Sequence, residues 1–190
     1  EGELDSFDEQ VLRFVVSLRH PTLNAAAVDI TALGSVSVIT IFCFLGVMVL
    51  LLSKDRLGAA FLAFGAAGAG LFSKGMKLLI ARPRPEDALR LVEVSNHSYP
   101  SGHTLAGAAF YLLLALMVSR HFPSYYARSC ILAFAGFLVC LIGLSRAYLG
   151  VHYPSDIASG MLLGAAWAFA LTGALGYFGR KRAAPSPGIS

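Results

Sequence analysis

Five stretches of the chain run apolar for about the length a spanning helix needs, roughly 20 residues for a hydrocarbon core of about 30 Å. Ile30–Leu52 carries no charge over 23 positions. Leu57–Ile80 is apolar until Lys74 and Lys77 appear in its last two turns. Thr104–Ser119 and Ser129–Ser145 are shorter uncharged cores extended by polar ends. Ile157–Gly179 is uncharged throughout, with Trp167 and Tyr177 among its aromatics. These stretches predict five spanning helices. Small residues recur inside them, as in Gly65, Ala66, Ala67, Gly68, Ala69 and Gly70 and again in Gly160, Gly164 and Ala165. Such positions let helix backbones approach closely.

Residues 1–29 follow another pattern. Phe7, Val11, Phe14, Val15 and Leu18 recur at helical spacing, while Asp5, Asp8, Glu9, Arg13 and Arg19 fill other positions. This predicts an amphipathic helix lying at the membrane surface, or one packed over a loop. No basic segment leads into an apolar core there, so it does not read as a cleavable signal peptide. The whole of 1–182 reads as one all-α, membrane-embedded domain, and 183–190, with Pro185, Ser186, Pro187 and Gly188, as a disordered tail.

Charge sets an orientation. Lys54 and Arg56 lie in the first connection between spans, Arg120 and Arg128 in the third, and Arg180, Lys181 and Arg182 after the last. Five alternating spans put these seven of the 15 basic residues on one side, with only Asp55 of the 11 acids. The excess of Lys and Arg makes that side cytoplasmic. Residues 1–29, the connection 81–102 and the connection around 146–156 then face outward. An outside N-terminus leads us to expect one more spanning helix ahead of Glu1.

Composition narrows the class. Of 190 residues, 56% are hydrophobic and only 14% charged, with 19 glycines and a mean hydropathy of +0.68. Soluble domains carry about 25% charged residues. A disordered chain, a nucleic-acid-binding domain and an ordinary cytosolic enzyme are all excluded, and the net charge of +4 is not gathered into one basic patch. Cys43, Cys130 and Cys140 sit inside apolar runs, as small buried hydrophobes do, at spacings that suit neither a zinc site nor a disulfide framework.

In a chain so poor in charge, three polar clusters stand out, all on the outward side. The first holds Lys77, Arg82, Arg84 and two prolines; alone, it could be a juxtamembrane stretch meeting lipid head groups. The second is Pro100-Ser101-Gly102-His103, where Ser101 can cap a helix whose first amides receive an anion. The third is Ser145-Arg146, then His152 and Asp156, with Pro154 between. The spacing of His152 and Asp156 would align them on one helical face unless Pro154 bends it. A carboxylate beside an imidazole fixes its tautomer and leaves the other ring nitrogen free as a nucleophile or base. Each histidine alone could be merely structural. Together, two imidazoles, one carboxylate and several Arg and Lys suit a phosphoryl group. No Cys, His and carboxylate set has metal-ligand spacing, so chemistry without metal or cofactor is expected.

The pattern Lys77-x6-Arg84-Pro85, Pro100-Ser101-Gly102-His103 and Ser145-Arg146-x5-His152-x3-Asp156 resembles the three signature motifs of the type 2 phosphatidic acid phosphatase family, in order and without departure. The motifs span 77–156, and the family-like helical core covers most of the chain. The resemblance implies a membrane bundle of six spanning helices, one more than this chain shows. It also implies roles. His152 would attack phosphorus and form a phosphohistidine, with Asp156 holding and polarising its ring. His103 would protonate the departing oxygen and then activate water. Lys77, Arg84, Ser101, Gly102 and Arg146 would bind the phosphate oxygens, with Arg82, outside the strict signature, a lesser candidate. The residues alone do not decide which histidine attacks.

The function expected is therefore a lipid phosphatase of the cytoplasmic membrane, acting at its outer face on undecaprenyl diphosphate, phosphatidylglycerol phosphate, phosphatidate or a similar lipid. Its partners would be that substrate and membrane lipids, with no nucleic acid and no obligatory protein partner. Rival readings are a phosphotransferase of the same family and a non-catalytic lipid-binding or transport protein, though the latter would have no need of His152 and His103. The chain is too hydrophobic for the soluble haloperoxidases that share the anion motifs. Lys74 is read as snorkelling to the interface, His97 as a solvent-exposed loop residue, and Glu86, Asp87 and Glu93 as solvating a long loop.

Overall fold

The computed structural model describes residues 2–183, and within them it is helical with no strand. The chain forms α1 (Gly2–Ser17), α2 (Pro21–Ala32), α3 (Val36–Leu52), α4 (Arg56–Ile80), a 3-10 turn (Asp87–Leu89), α5 (Gly102–Ser119), α6 (Tyr125–Tyr148) and α7 (Pro154–Ala183). The expected tail falls almost wholly outside the described residues. Helices α4 to α7 are each long and apolar enough to span a bilayer, and α2 with α3, bent relative to each other, qualify together as a fifth, as a broken span or a re-entrant pair.

That bend corrects the first predicted span. The uncharged run from Ile30 is not one helix: Ile30–Ala32 end α2, the chain turns at 33–35, and α3 departs at 45°. Ser35 starts α3 by accepting the Val38 amide at 3.3 Å. Likewise Asp55 starts α4 through the Gly58 amide at 2.8 Å. These side chains satisfy amides that a helix start leaves without partners.

Helix α5 is the axis of the bundle, packed by α7, α6, α4 and α3. Leu105, Ala108, Ala109, Phe110 and Leu113 are wholly or almost wholly buried along it. The small residues do what close packing requires. A Cβ on Gly164 would lie 2.4 Å from the Leu105 carbonyl oxygen, and one on Gly160 2.9 Å from that of Ser101. Bare glycines thus let α7 touch the α5 backbone. Gly68 receives the Trp167 ring, whose Nε1–H donates to the Gly65 carbonyl at 3.0 Å. The outside of the bundle is apolar: Phe44, Leu52, Leu71, Leu79, Phe134 and Leu162 are all well exposed, as helices facing lipid require.

The amphipathic N-terminal segment is present, but as two helices and with a polar side facing inward. In α1 Phe7 and Phe14 are exposed, as is Leu18 just after it, whereas Asp8 and Leu12 are fully buried, with α1 packed against α6 and α7. Arg19 fastens the α1–α2 connection by donating to the Tyr148 carbonyl at 2.9 Å and the Leu89 carbonyl at 2.6 Å.

The α5–α7 contact yields a stability prediction. Gly164→Ala pushes a methyl into the Leu105 carbonyl and costs about 1–3 kcal/mol, as overpacking does. Gly173→Ala, whose Cβ meets nothing within 4 Å, should leave the melting temperature in detergent unchanged or slightly raised. Equal melting temperatures for the two variants would contradict close α5–α7 packing.

Candidate active site

The three sequence clusters meet at one end of the bundle, where α4 ends, α5 and α7 begin, and α6 turns into the short segment 149–153. The path of the backbone explains how. Ala81, in the left-handed region at φ 47°, terminates α4 and turns the chain aside, so Arg82 and Arg84 are no longer on the α4 helix. Gly150, at φ +75°, ends the turn after α6; a Cβ there would lie 1.8 Å from the Leu89 carbonyl oxygen. Only glycine permits both that conformation and that approach. The Leu91 amide donates to the Leu149 carbonyl at 2.9 Å, clamping the two segments together.

His152 is almost fully buried in this clamp. Its Nε2 lies 3.2 Å from Arg84 Nη1 and its Nδ1 3.5 Å from Asp156 Oδ2. A guanidinium only donates, so Nε2 must carry the free lone pair and Nδ1 the proton. Burial, aided by the charges of Arg146 and Arg84 and opposed by the bond to Asp156, lowers the His152 pKa to about 3. The ring is therefore neutral at ordinary pH, with a lone pair at the nitrogen that faces the cations.

Asp156 reaches His152 otherwise than the spacing suggests. His152 precedes α7 and is not on its face; Asp156 lies in the first turn and folds back, accepting the Tyr153 amide at 3.0 Å. The carboxylate also accepts from the Ser98 hydroxyl, and its backbone carbonyl accepts the Ser101 amide at 3.0 Å. Ser98, fully buried and 3.4 Å from His152 Nδ1, is a site residue that motif reading did not find.

Three cations come to the same end of the bundle, with Arg84 against this ring. Arg84 is held by the Val151 carbonyl at 2.6 Å and the Asn96 carbonyl at 2.5 Å. Burial and Arg90 lower its pKa to about 10, so it remains charged. Lys77, from the last turn of α4, donates to the His97 carbonyl at 2.6 Å. Arg146 is buried on the last turn of α6, its Nη1 donating to Thr31 Oγ1 at 3.1 Å. Its Nε–H is buried with no partner among the described residues. Arg84 and Arg146 act electrostatically on both His152 and His103, and Lys77 acts on His103.

His103 follows Gly102 in the first turn of α5, where the leading amides lack intrahelical partners. Ser101 stands at the N-cap position but does not cap: its hydroxyl pairs with Thr104 Oγ1 at 2.9 Å instead. Gly102 keeps α5 close to α4, since a Cβ there would meet Ser73 Oγ at 3.3 Å and Lys77 Cε at 3.7 Å. His97 is exposed, as expected, though its carbonyl holds Lys77.

Arg82 does not join the cations near His152 and His103. It donates to Asp156 Oδ1 at 2.8 Å and to Asp8 Oδ2 and Asp5 Oδ1 at 2.9 Å each. Burial works against its charge, but those carboxylates outweigh it and raise its pKa above the ordinary value. Among the described residues no three His, Cys, Asp or Glu side chains gather as metal ligands would. An apolar cavity of about 910 Å³ lies toward the other end of the bundle, lined by Phe110, Tyr111, Phe134 and Arg120, away from His152.

Comparison with known proteins gives this arrangement a family context. The PAP2 superfamily model matches residues 58–180. Phosphatidylglycerophosphatase B of Bacillus subtilis (strain 168) is 34% identical over 164 residues, which cover 85% of this chain and 79% of that protein. A crystal structure of a transmembrane PAP2-type phosphatidylglycerolphosphate phosphatase from Bacillus subtilis aligns with a TM-score of 0.86 at 30% identity, covering 95% of this chain and 88% of the other. Aquifex aeolicus LpxE aligns with a TM-score of 0.67 at 25% identity, covering 85% and 92% of the two chains.

The geometry predicts the protonation state of one ring. With ¹⁵N-labelled histidine, the signals lost in His152→Ala should report a neutral, Nδ1–H imidazole that stays neutral down to about pH 4.5 in the free protein. Protonation near the ordinary histidine value would contradict it. The sign for stability follows: the unfolded chain takes the proton first, so this contribution is whole above about pH 6.5 and is lost as pH falls toward about 3.

Proposed function

The chain belongs to the PAP2 superfamily, and from that premise we propose that it hydrolyses the phosphomonoester or diphosphate head groups of membrane lipids through a phosphohistidine on His152. The observation that carries this reading is the buried Nε–H of Arg146, unpartnered among the described residues, with Arg84 and the neutral His152 ring within electrostatic reach. An unsatisfied guanidinium donor inside a protein is costly, and an anion with several oxygens relieves it. A phosphoryl group placed there has Lys77, Arg84, Arg146 and the first amides of α5 as donors, with a bare imidazole nitrogen facing phosphorus.

The reaction then runs in two displacements. His152 Nε2 donates its lone pair to phosphorus and the P–O bond to the lipid breaks; His103, which takes a proton from solvent once the phosphoryl charge offsets Lys77, Arg84 and Arg146, passes that proton to the departing oxygen. Arg84, which donates to Nε2 in the free site, turns its N–H toward the phosphoryl oxygens. The Nδ1–H of the phosphohistidine keeps its contact with Asp156, which offsets the positive charge the ring acquires. Neutral His103 next takes a proton from water, whose oxygen attacks phosphorus; the N–P bond breaks and inorganic phosphate leaves. In this reading Ser101 acts by anchoring the start of α5, through its amide on the Asp156 carbonyl, more than through its hydroxyl.

A lipid substrate suits the surroundings. The site sits where spanning helices end, so an acyl or prenyl chain can remain in the bilayer while the head group reaches His152. With the basic loops cytoplasmic, the site faces the outer side of the membrane. Candidate substrates are undecaprenyl diphosphate, phosphatidylglycerol phosphate and phosphatidate; the named Bacillus relative favours the second.

In detergent with excess EDTA, the protein should release phosphate from at least one of these three lipids. His152→Ala should lower release by about 10⁴-fold or more while remaining folded, since it removes the nucleophile. His103→Ala should slow release least for substrates with good leaving groups, because they need no proton. Release that needs a metal, or that survives in His152→Ala, would overturn the proposal.

A further inference from the structure

Asp8 has no part in binding a phosphate, yet it is among the most thoroughly buried polar side chains of the protein. Its Oδ1 accepts the Ser155 amide at 2.9 Å, at the start of α7. Its Oδ2 accepts the Ser155 hydroxyl and Arg82 Nη2, the latter at 2.9 Å. Arg82 passes the contact on: its Nη1 donates to Ser155 Oγ at 2.7 Å and to Asp156 Oδ1 at 2.8 Å. An unbroken chain of polar contacts therefore runs from the middle of α1 through Arg82 and Asp156 to His152. Both terminal nitrogens of Arg82 are committed to Asp156, Ser155, Asp8 and the more exposed Asp5.

The chain of contacts answers an electrostatic problem. Asp156 has to present negative charge to His152 when that ring becomes cationic, but a guanidinium 2.8 Å from its other oxygen competes for the same charge. Asp8 offsets it. With one buried carboxylate on each side, Arg82 is shared, and Asp156 keeps more of its charge for the imidazole. Asp8 also fixes the guanidinium so that it meets Oδ1 and leaves Oδ2 to His152, Ser98 and the Tyr153 amide.

We propose that Asp8, acting through Arg82, is a positioning residue for the Asp156–His152 pair, so that the N-terminal surface helix completes the active site. The inference rests on the phosphatase reading above. It also accounts for the orientation of α1. A helix held only by its apolar residues would have no reason to bury a carboxylate; α1 keeps Phe7 and Phe14 outward and turns Asp8 onto the start of α7.

The test is a double-mutant cycle on phosphate release from phosphatidylglycerol phosphate in detergent. Asp8→Asn is nearly isosteric and keeps an acceptor for the Ser155 amide. It should lower kcat about tenfold, the worth of one pKa unit in the charged ring, with KM within about twofold of wild type. In an Arg82→Gln background the same change should alter kcat by less than about twofold, because its route to His152 is gone. An unchanged kcat in folded Asp8→Asn, a loss expressed in KM, or equal losses in both backgrounds would overturn the proposal. Should Asp8→Asn fail to fold, Arg82→Lys replaces it. One ammonium cannot meet Asp8 and Asp156 together as the two guanidinium nitrogens do, so a lowered kcat with KM little changed is expected and an unchanged kcat overturns the idea. Wild-type protein that releases no phosphate from any lipid would sink the phosphatase reading itself, an outcome distinct from release that ignores Asp8.

Discussion

One carboxylate ties the site together. Asp156 accepts the Tyr153 amide, the Ser98 hydroxyl and the Arg82 guanidinium, its oxygen lies 3.5 Å from His152, and its own carbonyl receives the Ser101 amide. Through those contacts the start of α7, the long loop between α4 and α5, the segment after α6 and the start of α5 are held in one arrangement. Such a group is costly to bury unless every lone pair is used. Here it is used fully, and the ring it orients is left neutral with the Nε2 lone pair toward Arg84.

Around that ring the electrostatics are deliberately unbalanced. Arg84, Arg146 and Lys77 converge with backbone carbonyls and a threonine hydroxyl as partners, while the nearby carboxylates are spent on Arg82. Positive charge unmatched by an anion among the described residues is poorly screened at the end of a bilayer-spanning bundle; on the function proposed above, it would favour an anionic head group whose lipid chain stays in the membrane. The fold supplies the rigidity for this. Bare glycines on α7 bring its backbone onto α5, so the two helices whose first turns hold Asp156 and His103 are in direct backbone contact.

Much of this was legible in the sequence because the chain is so apolar. Against uncharged runs, Lys77, Arg84, His103, Arg146, His152 and Asp156 have few reasons to be present other than chemistry, and their order within 77–156 carried the family resemblance. What could not be read was geometry set by the tertiary fold. The uncharged run from Ile30 conceals a turn at 33–35, since hydropathy does not register a bend. Ser98 is one serine in a polar loop until the fold places it on Asp156. Ser101 has the sequence of a cap, but Thr104 takes its hydroxyl. Asp8 was the least legible of all. An amphipathic pattern assigns its acids to solvent, and only the docking of α1 on α7 shows that one of them faces the protein.

The central claim is that His152 carries the phosphoryl group between two displacements. Its most direct test is to quench the working protein within milliseconds of mixing with ³²P-labelled phosphatidylglycerol phosphate and to map the label by peptide. The account predicts an acid-labile, base-stable phosphoenzyme on the peptide containing His152, formed and lost fast enough to be on the path to free phosphate. It should be absent in His152→Ala. Label found on His103 instead, or phosphate released in a single turnover with no phosphoenzyme at any time, would contradict it.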